Sequence, residues 1–252
     1  MNFDNIGTSI CKVINENNKK EKIIYVEQDK NKVECYFEEY VCKNGEYMQL
    51  VPQNVKDDRN VLYVTGQSGS GKTTFSKKYI EEYKKKYKKR EVYVFSYFTE
   101  DKNLDTKYLK RIKLDDEFVN TELYLDDFRD SLILFDDIDT IKNKPLKKKL
   151  KGILDNLLEL GRHYCVDIVY ISHQCNKGSE TKSILTECGS ITIFPAVMSS
   201  ISFKYLLGVY FGMNIDQMRR IKKLNSRAVT IIRTYPNIVL YDKGCYVLND
   251  DI

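Results

Sequence analysis

The chain has no tryptophan, two histidines and four prolines among its 252 residues. Neither histidine stands in an array of Cys or Asp with metal-ligand spacing, so the sequence offers no imidazole-built metal centre. Its seven cysteines (Cys11, Cys35, Cys42, Cys165, Cys175, Cys188, Cys245) are scattered and odd in number, and no Cys-x-x-Cys pair occurs. That spacing argues against a zinc ribbon or a disulfide framework and for free thiols in a reducing compartment. Apolar runs of the ~18 residues needed to span a membrane are also missing. The nearest candidate, residues 201–211, is broken by Lys204. The start, Met1-Asn2-Phe3-Asp4, lacks the basic and apolar regions of a signal peptide, so a soluble intracellular protein without membrane contact is expected. Charge of either sign is not in large excess. Lys and Arg number 41 against 36 Asp and Glu, a net +5 that is compatible with nucleic acid but does not single it out.

What is present is concentrated in one stretch, Gly66-Gln67-Ser68-Gly69-Ser70-Gly71-Lys72-Thr73. It fits G-x-x-x-x-G-K-[ST], the phosphate-binding P-loop. Gly66, Gly69 and Gly71 allow a tight turn whose N–H groups converge on phosphate oxygens. Lys72 carries a cation to the β- and γ-phosphates, and the Thr73 hydroxyl suits Mg²⁺. An apolar run, residues 61–64, reads as a strand entering the loop. Residues 74–89 read as a helix leaving it, whose N-terminus favours phosphate as well. Gly66, Ser68, Gly69, Ser70, Gly71, Lys72, Thr73 and Thr74 are therefore the candidate nucleotide ligands, and ATP with Mg²⁺ the expected cofactors.

Downstream, residues 92–95 form a second core strand, and about 35 residues with room for one or two helices precede a third, 132–135. That strand ends in Asp136-Asp137, the acidic pair of a Walker B motif. Asp136 is the candidate metal ligand. Asp137 is the candidate base that orients and deprotonates water, with Asp139 a weaker competitor. Asn143-Lys144-Pro145-Leu146 approaches the guanine-reading N-K-x-D, but Leu146 stands where the base acceptor belongs, which excludes a GTPase. An amphipathic helix over 146–158 leads through Gly161-Arg162-His163 to a fourth strand, 166–171. Polar Ser172-His173-Gln174 follows at the edge where ligands sit in such sheets, so Gln174 and His173 are both candidate γ-phosphate sensors. An extra strand between the P-loop strand and the Walker B strand is typical of RecA-like motor ATPases. The expected architecture is α/β, a RecA-like (ASCE) P-loop NTPase with a mainly parallel sheet flanked by helices over 58–252. A β-rich N-terminal extension occupies 1–57, with strands at 23–26, 33–37 and 47–51. A fifth strand is expected at 190–194, helices at 200–211 and 215–224, and a C-terminal β-hairpin after residue 228.

The order of P-loop, Phe135-Asp136-Asp137-Ile138-Asp139, Gly161-Arg162-His163 and Tyr170-Ile171-Ser172-His173 resembles the FtsK–HerA superfamily. Thr181–Glu187, Lys204–Leu207 and Asn225–Val229 look like segments of the genome-packaging ATPases of large DNA viruses and virophages, the poxvirus type included. The similarity covers roughly residues 58–245. It implies a homo-oligomeric ring, pentamer or hexamer, that drives double-stranded DNA into a preformed capsid by ATP hydrolysis. It also implies a capsid or portal partner, a place in the viral factory of the host cytoplasm and in the virion, and an arginine completing each site from the neighbouring subunit. Arg227 and Arg162 match such positions, though either also suits a local salt bridge. Many superfamily members carry glutamate where this chain has Asp137, one methylene shorter. Two other readings remain open on the residues alone. One is a nucleoside or polynucleotide kinase, which would need an Arg-rich lid not evident after the fourth strand. The other is a nucleotide-gated assembly scaffold.

Overall fold

The computed structural model describes residues 1–54, 58–175 and 179–248. Two compact units emerge, one built from Met1–Val55 with Gly189–Ile252 and the other from Lys56–Cys188. The structure thus draws the division differently from the expected break after residue 57, because the N-terminal segment and the chain's last quarter belong to one unit.

In that first unit, β1 (Thr8–Asn15) pairs antiparallel with β2 (Glu21–Val26). β3 (Glu39–Val41) follows, and β4 (Glu46–Leu50) pairs with the other side of β1. The sequence pattern did not reveal β1, since six consecutive residues of it are buried and it shows no alternation. The strand expected at 33–37 does not form. The Asp4 carboxylate accepts from the backbone N–H of Glu34 and Cys35 at 3.0 and 3.2 Å, and Phe37 N–H donates to the Met1 carbonyl at 2.9 Å. Those donors are thereby withdrawn from any ladder, and β3 starts two residues later.

The second unit carries the P-loop. β5 (Val61–Thr65) enters it and α1 (Lys72–Lys86) leaves it. Then come β6 (Glu91–Ser96), β7 (Leu109–Ile112), the short α2 (Asp116–Asn120), β8 (Ser131–Asp136), α3 (Lys144–Leu160), β9 (Asp167–Ser172) and α4 (Ser179–Glu187). Five strands lie parallel in the order β5-β9-β8-β6-β7. β9 thus runs between the P-loop strand and the strand that ends in Asp136. Every residue of β5, β8 and β9 is buried, as expected for parallel strands covered on both faces. β7 occupies the stretch read as helical linker; its half-exposed edge position hides the apolar signature.

The amphipathic helix α3 starts at the Asn143 cap, whose side chain accepts from Leu146 N–H, with Pro145 in its first turn. It buries Leu146, Leu150, Leu154, Leu157 and Leu158. Its C-terminal carbonyls, Leu157 and Leu158, accept from the Arg59 guanidinium, a cation placed where the helix end is negative.

The first unit is completed by β10 (Ser190–Ile193), α5 (Ser200–Lys204), a π-helical turn at Tyr205–Tyr210, and α6 (Ile215–Lys223). β11 (Val229–Ile232), β12 (Ile238–Tyr241) and β13 (Gly244–Val247) follow, and β10, β11, β12, β13 and β3 are antiparallel neighbours in that order. The chain is thus mixed α/β, with a mainly parallel central sheet and helices flanking it. Among the described residues, no helix is long and apolar enough to cross a membrane.

Candidate functional site

The P-loop follows β5 at the C-terminal edge of the parallel sheet. Gly69 and Gly71 have φ of +74° and +110°, conformations that a side chain would strain. Gly71 also caps α1 without a side-chain hydrogen bond, so the first N–H groups of the helix face the loop without a capping oxygen. A Cβ built on Gly69 would meet nothing within 4 Å, so the space beside this glycine is open. An anion-binding cradle requires this combination of free helix N–H groups, a positive end and room. Ser68, Gly69 and Thr74 are exposed, Thr73 is half-buried, and Gly66, Ser70 and Lys72 are buried.

Three neighbouring strand ends are tied together behind this loop. Gly66 N–H donates to the Ser172 carbonyl at 3.2 Å, and Asp137 N–H to the Ile171 carbonyl at 3.2 Å. The buried Tyr63 hydroxyl lies 2.7 Å from Ser172 Oγ and donates to the Gln174 carbonyl at 3.1 Å. Because β9 lies between β5 and β8, its exit delivers His173 between the loop and the acidic pair. His173 Nε2 is 2.9 Å from Asp137 Oδ2, and its Nδ1 is 3.3 Å from Lys72 Nζ. Lys72 Nζ also donates to the Gly66 carbonyl at 2.8 Å and the Gln67 carbonyl at 3.2 Å.

Of the two sensor candidates, His173 therefore stands inside the site. Gln174 has an exposed side chain and contributes its carbonyl to Tyr63 and Ser172. Asp136 is 6% exposed, and its Oδ2 accepts from Ser96 Oγ at 3.1 Å. Ser96, the last residue of β6, escaped the sequence reading. Its one signal was a polar residue closing an apolar strand that neighbours the acidic one. Asp137 adopts a left-handed backbone (φ 50°, ψ 31°), a region that aspartate enters more readily than most residues. Its Oδ1 is buried with no hydrogen-bond partner among the described residues. Asp139 is buried as well, and its carbonyl accepts from Lys147 Nζ at 3.2 Å.

Burial dominates the electrostatics. It lifts the Asp136 carboxyl to about 6, assisted by the neighbouring Asp137 charge and opposed by the Ser96 hydroxyl. Burial likewise raises Asp137, against the pull of His173 and Lys72. It lowers the Lys72 ammonium, against the attraction of Asp137, Asp136 and Asp139. Both signs of charge are thus held in a site too dry for them, a setting that favours a highly charged ligand.

The remaining candidates lie elsewhere. Arg162 sits just before β9, at the opposite edge of the parallel sheet from the P-loop, with its Nε 2.9 Å from Asp58 Oδ1. That local salt bridge is one of the two roles the sequence left open for it. Arg227 lies in the first unit, exposed, in the turn before β11.

A P-loop at the C-terminal edge of a parallel sheet, facing the buried Asp136 and the half-buried Asp137 across an inserted strand, defines a P-loop NTPase fold. The AAA domain family matches residues 58–198, and the chain belongs to that family. The uncharacterized protein V3 of Sputnik virophage is 35% identical over 231 residues, 91% of each chain. Two solved structures share the fold. The genome packaging NTPase B204 of Sulfolobus turreted icosahedral virus 2, in complex with AMPPCP, superposes with a TM-score of 0.50 at 12% identity, over 77% of this chain and 100% of its own. B204 of Sulfolobus turreted icosahedral virus, described as its DNA-packaging ATPase, gives 0.50 at 14% identity, over 77% and 98%. These likenesses agree with the resemblance to viral packaging ATPases.

Proposed function

We propose that this chain is an ATP-driven double-stranded DNA translocase that packages a viral genome into a preformed capsid. The observation that carries the reading is the pairing of an intact triphosphate site with a fold that takes in the whole of a viral packaging NTPase. The virophage relative, alike over nine-tenths of both chains, supports a viral origin.

In this reading the cradle of Gly66, Ser68, Gly69, Ser70, Gly71 and Thr74 holds the triphosphate, with Lys72 on its terminal phosphates. The donor set fits Mg²⁺: a buried carboxylate, Asp136, and a hydroxyl, Thr73, suit a hard cation that keeps water and phosphate as its other ligands. Bound there, it would neutralise charge on the phosphates. Asp137 orients the attacking water and accepts its proton. Gln174 contributes through its backbone carbonyl, which braces Tyr63 and Ser172 behind the loop. Arg227 or Arg162 completes the site of a neighbouring subunit, which requires a homo-oligomeric ring, pentameric or hexameric, with a capsid or portal partner. The protein then works in the host cytoplasm and accompanies the virion.

The test is ATP hydrolysis by the purified protein with and without linear double-stranded DNA, with Lys72→Ala as control. DNA-stimulated turnover that the variant lacks supports the translocase. Turnover indifferent to DNA but raised by a nucleoside or a 5′-hydroxyl end would replace it with a kinase. Binding of ATP without turnover, with DNA and empty capsids both supplied, would leave a nucleotide-gated scaffold.

A further inference from the structure

An ammonium has three donors and no acceptor, and Lys72 Nζ has three protein acceptors within reach: the carbonyls of Gly66 and Gln67 and the ring nitrogen Nδ1 of His173. Since Lys72 can only donate, Nδ1 must accept, and the ring hydrogen is left on Nε2. Nε2 in turn faces Asp137 Oδ2 at 2.9 Å, so the imidazole donates to the carboxylate. A continuous path of two hydrogen bonds therefore joins the P-loop lysine to the side chain proposed as base. We infer that His173 is a positioning residue that couples occupancy of Lys72 to the orientation of Asp137. This inference rests on the reading of Asp137 as the base.

Geometry separates this role from that of a phosphate sensor. A sensor acts on the γ-phosphate; His173 has both nitrogens turned to protein groups. A phosphate that recruits Lys72 must draw its donors away from their present acceptors. Two of these are carbonyls of the loop itself, so the third, Nδ1, is the one contact among the described residues through which the change can leave the loop. On the other side, the Asp137 backbone is held by Thr140, whose N–H and Oγ1 reach its carbonyl at 3.1 and 2.8 Å. With the backbone pinned in its left-handed conformation, side-chain rotation is the freedom left to Asp137. His173 fixes it by binding Oδ2, which leaves Oδ1 without a partner among the described residues.

The chain has only two histidines, which makes the coupling directly observable. Imidazole ¹⁵N spectra of the full chain, assigned with His163→Gln, should show His173 with its hydrogen on Nε2 in the absence of nucleotide. Adding AMPPCP with Mg²⁺ should move the Nδ1 resonance, and Lys72→Met should move it without nucleotide. An Nδ1 signal that ignores both, while calorimetry shows the wild type binding AMPPCP, overturns the inference. That arm needs no turnover, so it stands even if the chain proves unable to hydrolyse ATP. In steady-state kinetics, His173→Ala should lower kcat by about 10- to 100-fold, the range expected for a misplaced catalytic group, without loosening ATP binding. His173→Gln keeps one donor and one acceptor on a side chain of similar reach and should recover most of kcat. Weaker ATP binding at unchanged kcat in His173→Ala would make His173 a phosphate ligand instead. Equal losses in both variants would make it structural.

Discussion

Removing the charge of Asp136 should stabilise the nucleotide-free protein, and should do so only where that charge exists. The carboxyl is 6% exposed and lifted from 3.8 to about 6, first by burial and then by the adjacent Asp137. A carboxyl whose folded pKa lies above its unfolded one keeps a proton in the native state that the unfolded chain has already released. Stability therefore falls as pH rises between about 4 and about 6, and the full penalty applies above that window. A gap of about two pH units corresponds to about 3 kcal/mol, an upper value because a buried site relaxes around its charge. Asp136→Asn removes the ionisation yet keeps an oxygen for Ser96 Oγ, whose hydrogen bond is 3.1 Å long. Urea unfolding without nucleotide or divalent cation, at about pH 7.5 and about pH 4, measures the effect. The variant should gain ~1–3 kcal/mol over wild type at the higher pH and less than ~0.5 kcal/mol at the lower. An equal gain at both values, or a loss at the higher one, would refute the claim that desolvated charge is the cause.

Asp137→Asn should retain ATP binding by calorimetry while hydrolysis falls by about 10²- to 10⁴-fold, the usual contribution of a general base. Gly71→Ala places a Cβ on a residue at φ +110° and should cost at least ~1 kcal/mol of stability in denaturant, with a matching loss of ATP affinity. Asp167→Ala removes the carboxylate to which the buried Asn60 N–H donates at 2.6 Å, and frees Arg90 from one of its two carboxylates. It should destabilise by ~1–3 kcal/mol yet leave hydrolysis per folded molecule unchanged, because it lies at the sheet edge remote from the P-loop.

The parts of the site that sequence revealed are those whose chemistry is local. A P-loop is eight consecutive residues with a strand before and a helix after, and Asp136-Asp137 closes an uninterrupted apolar run. His173 was legible only as one of two polar residues after β9, because the choice between it and Gln174 depends on strand order. With β9 between β5 and β8, the first residue past the strand points between the loop and the acids, and the next points out. Ser96 belongs to a strand three places from the P-loop strand, and its bond to Asp136 follows from the register that pairs those two residues. Neither strand order nor register is written in any window of sequence. The same limit applied to the fold: β1 and β7 lack alternation or length, whereas residues 33–37 had the composition of a strand but lost their donors to Asp4 and Met1.

Lys72 and the two aspartates are poised by the same physical fact acting on opposite charges. Desolvation pushes the lysine down and the carboxyls up, toward neutrality on both sides, even though their mutual attraction favours the charged forms. That attraction is divided among three acids and one base, so an excess of negative charge remains on the acidic side and is relieved by a cation rather than by the lysine alone. A magnesium–triphosphate supplies both corrections at once, anionic oxygens for Lys72 and a divalent cation for Asp136. Either component alone supplies one and worsens the other. Binding should therefore be strongly cooperative between nucleotide and metal: by calorimetry, ATP with EDTA should bind at least ~10-fold more weakly than Mg·ATP, a coupling of ~1.4 kcal/mol or more. Asp136→Asn should abolish most of that difference. If ATP bound equally well with and without the metal, the buried acids would not be its partner, and the charge balance argued for this site would be wrong.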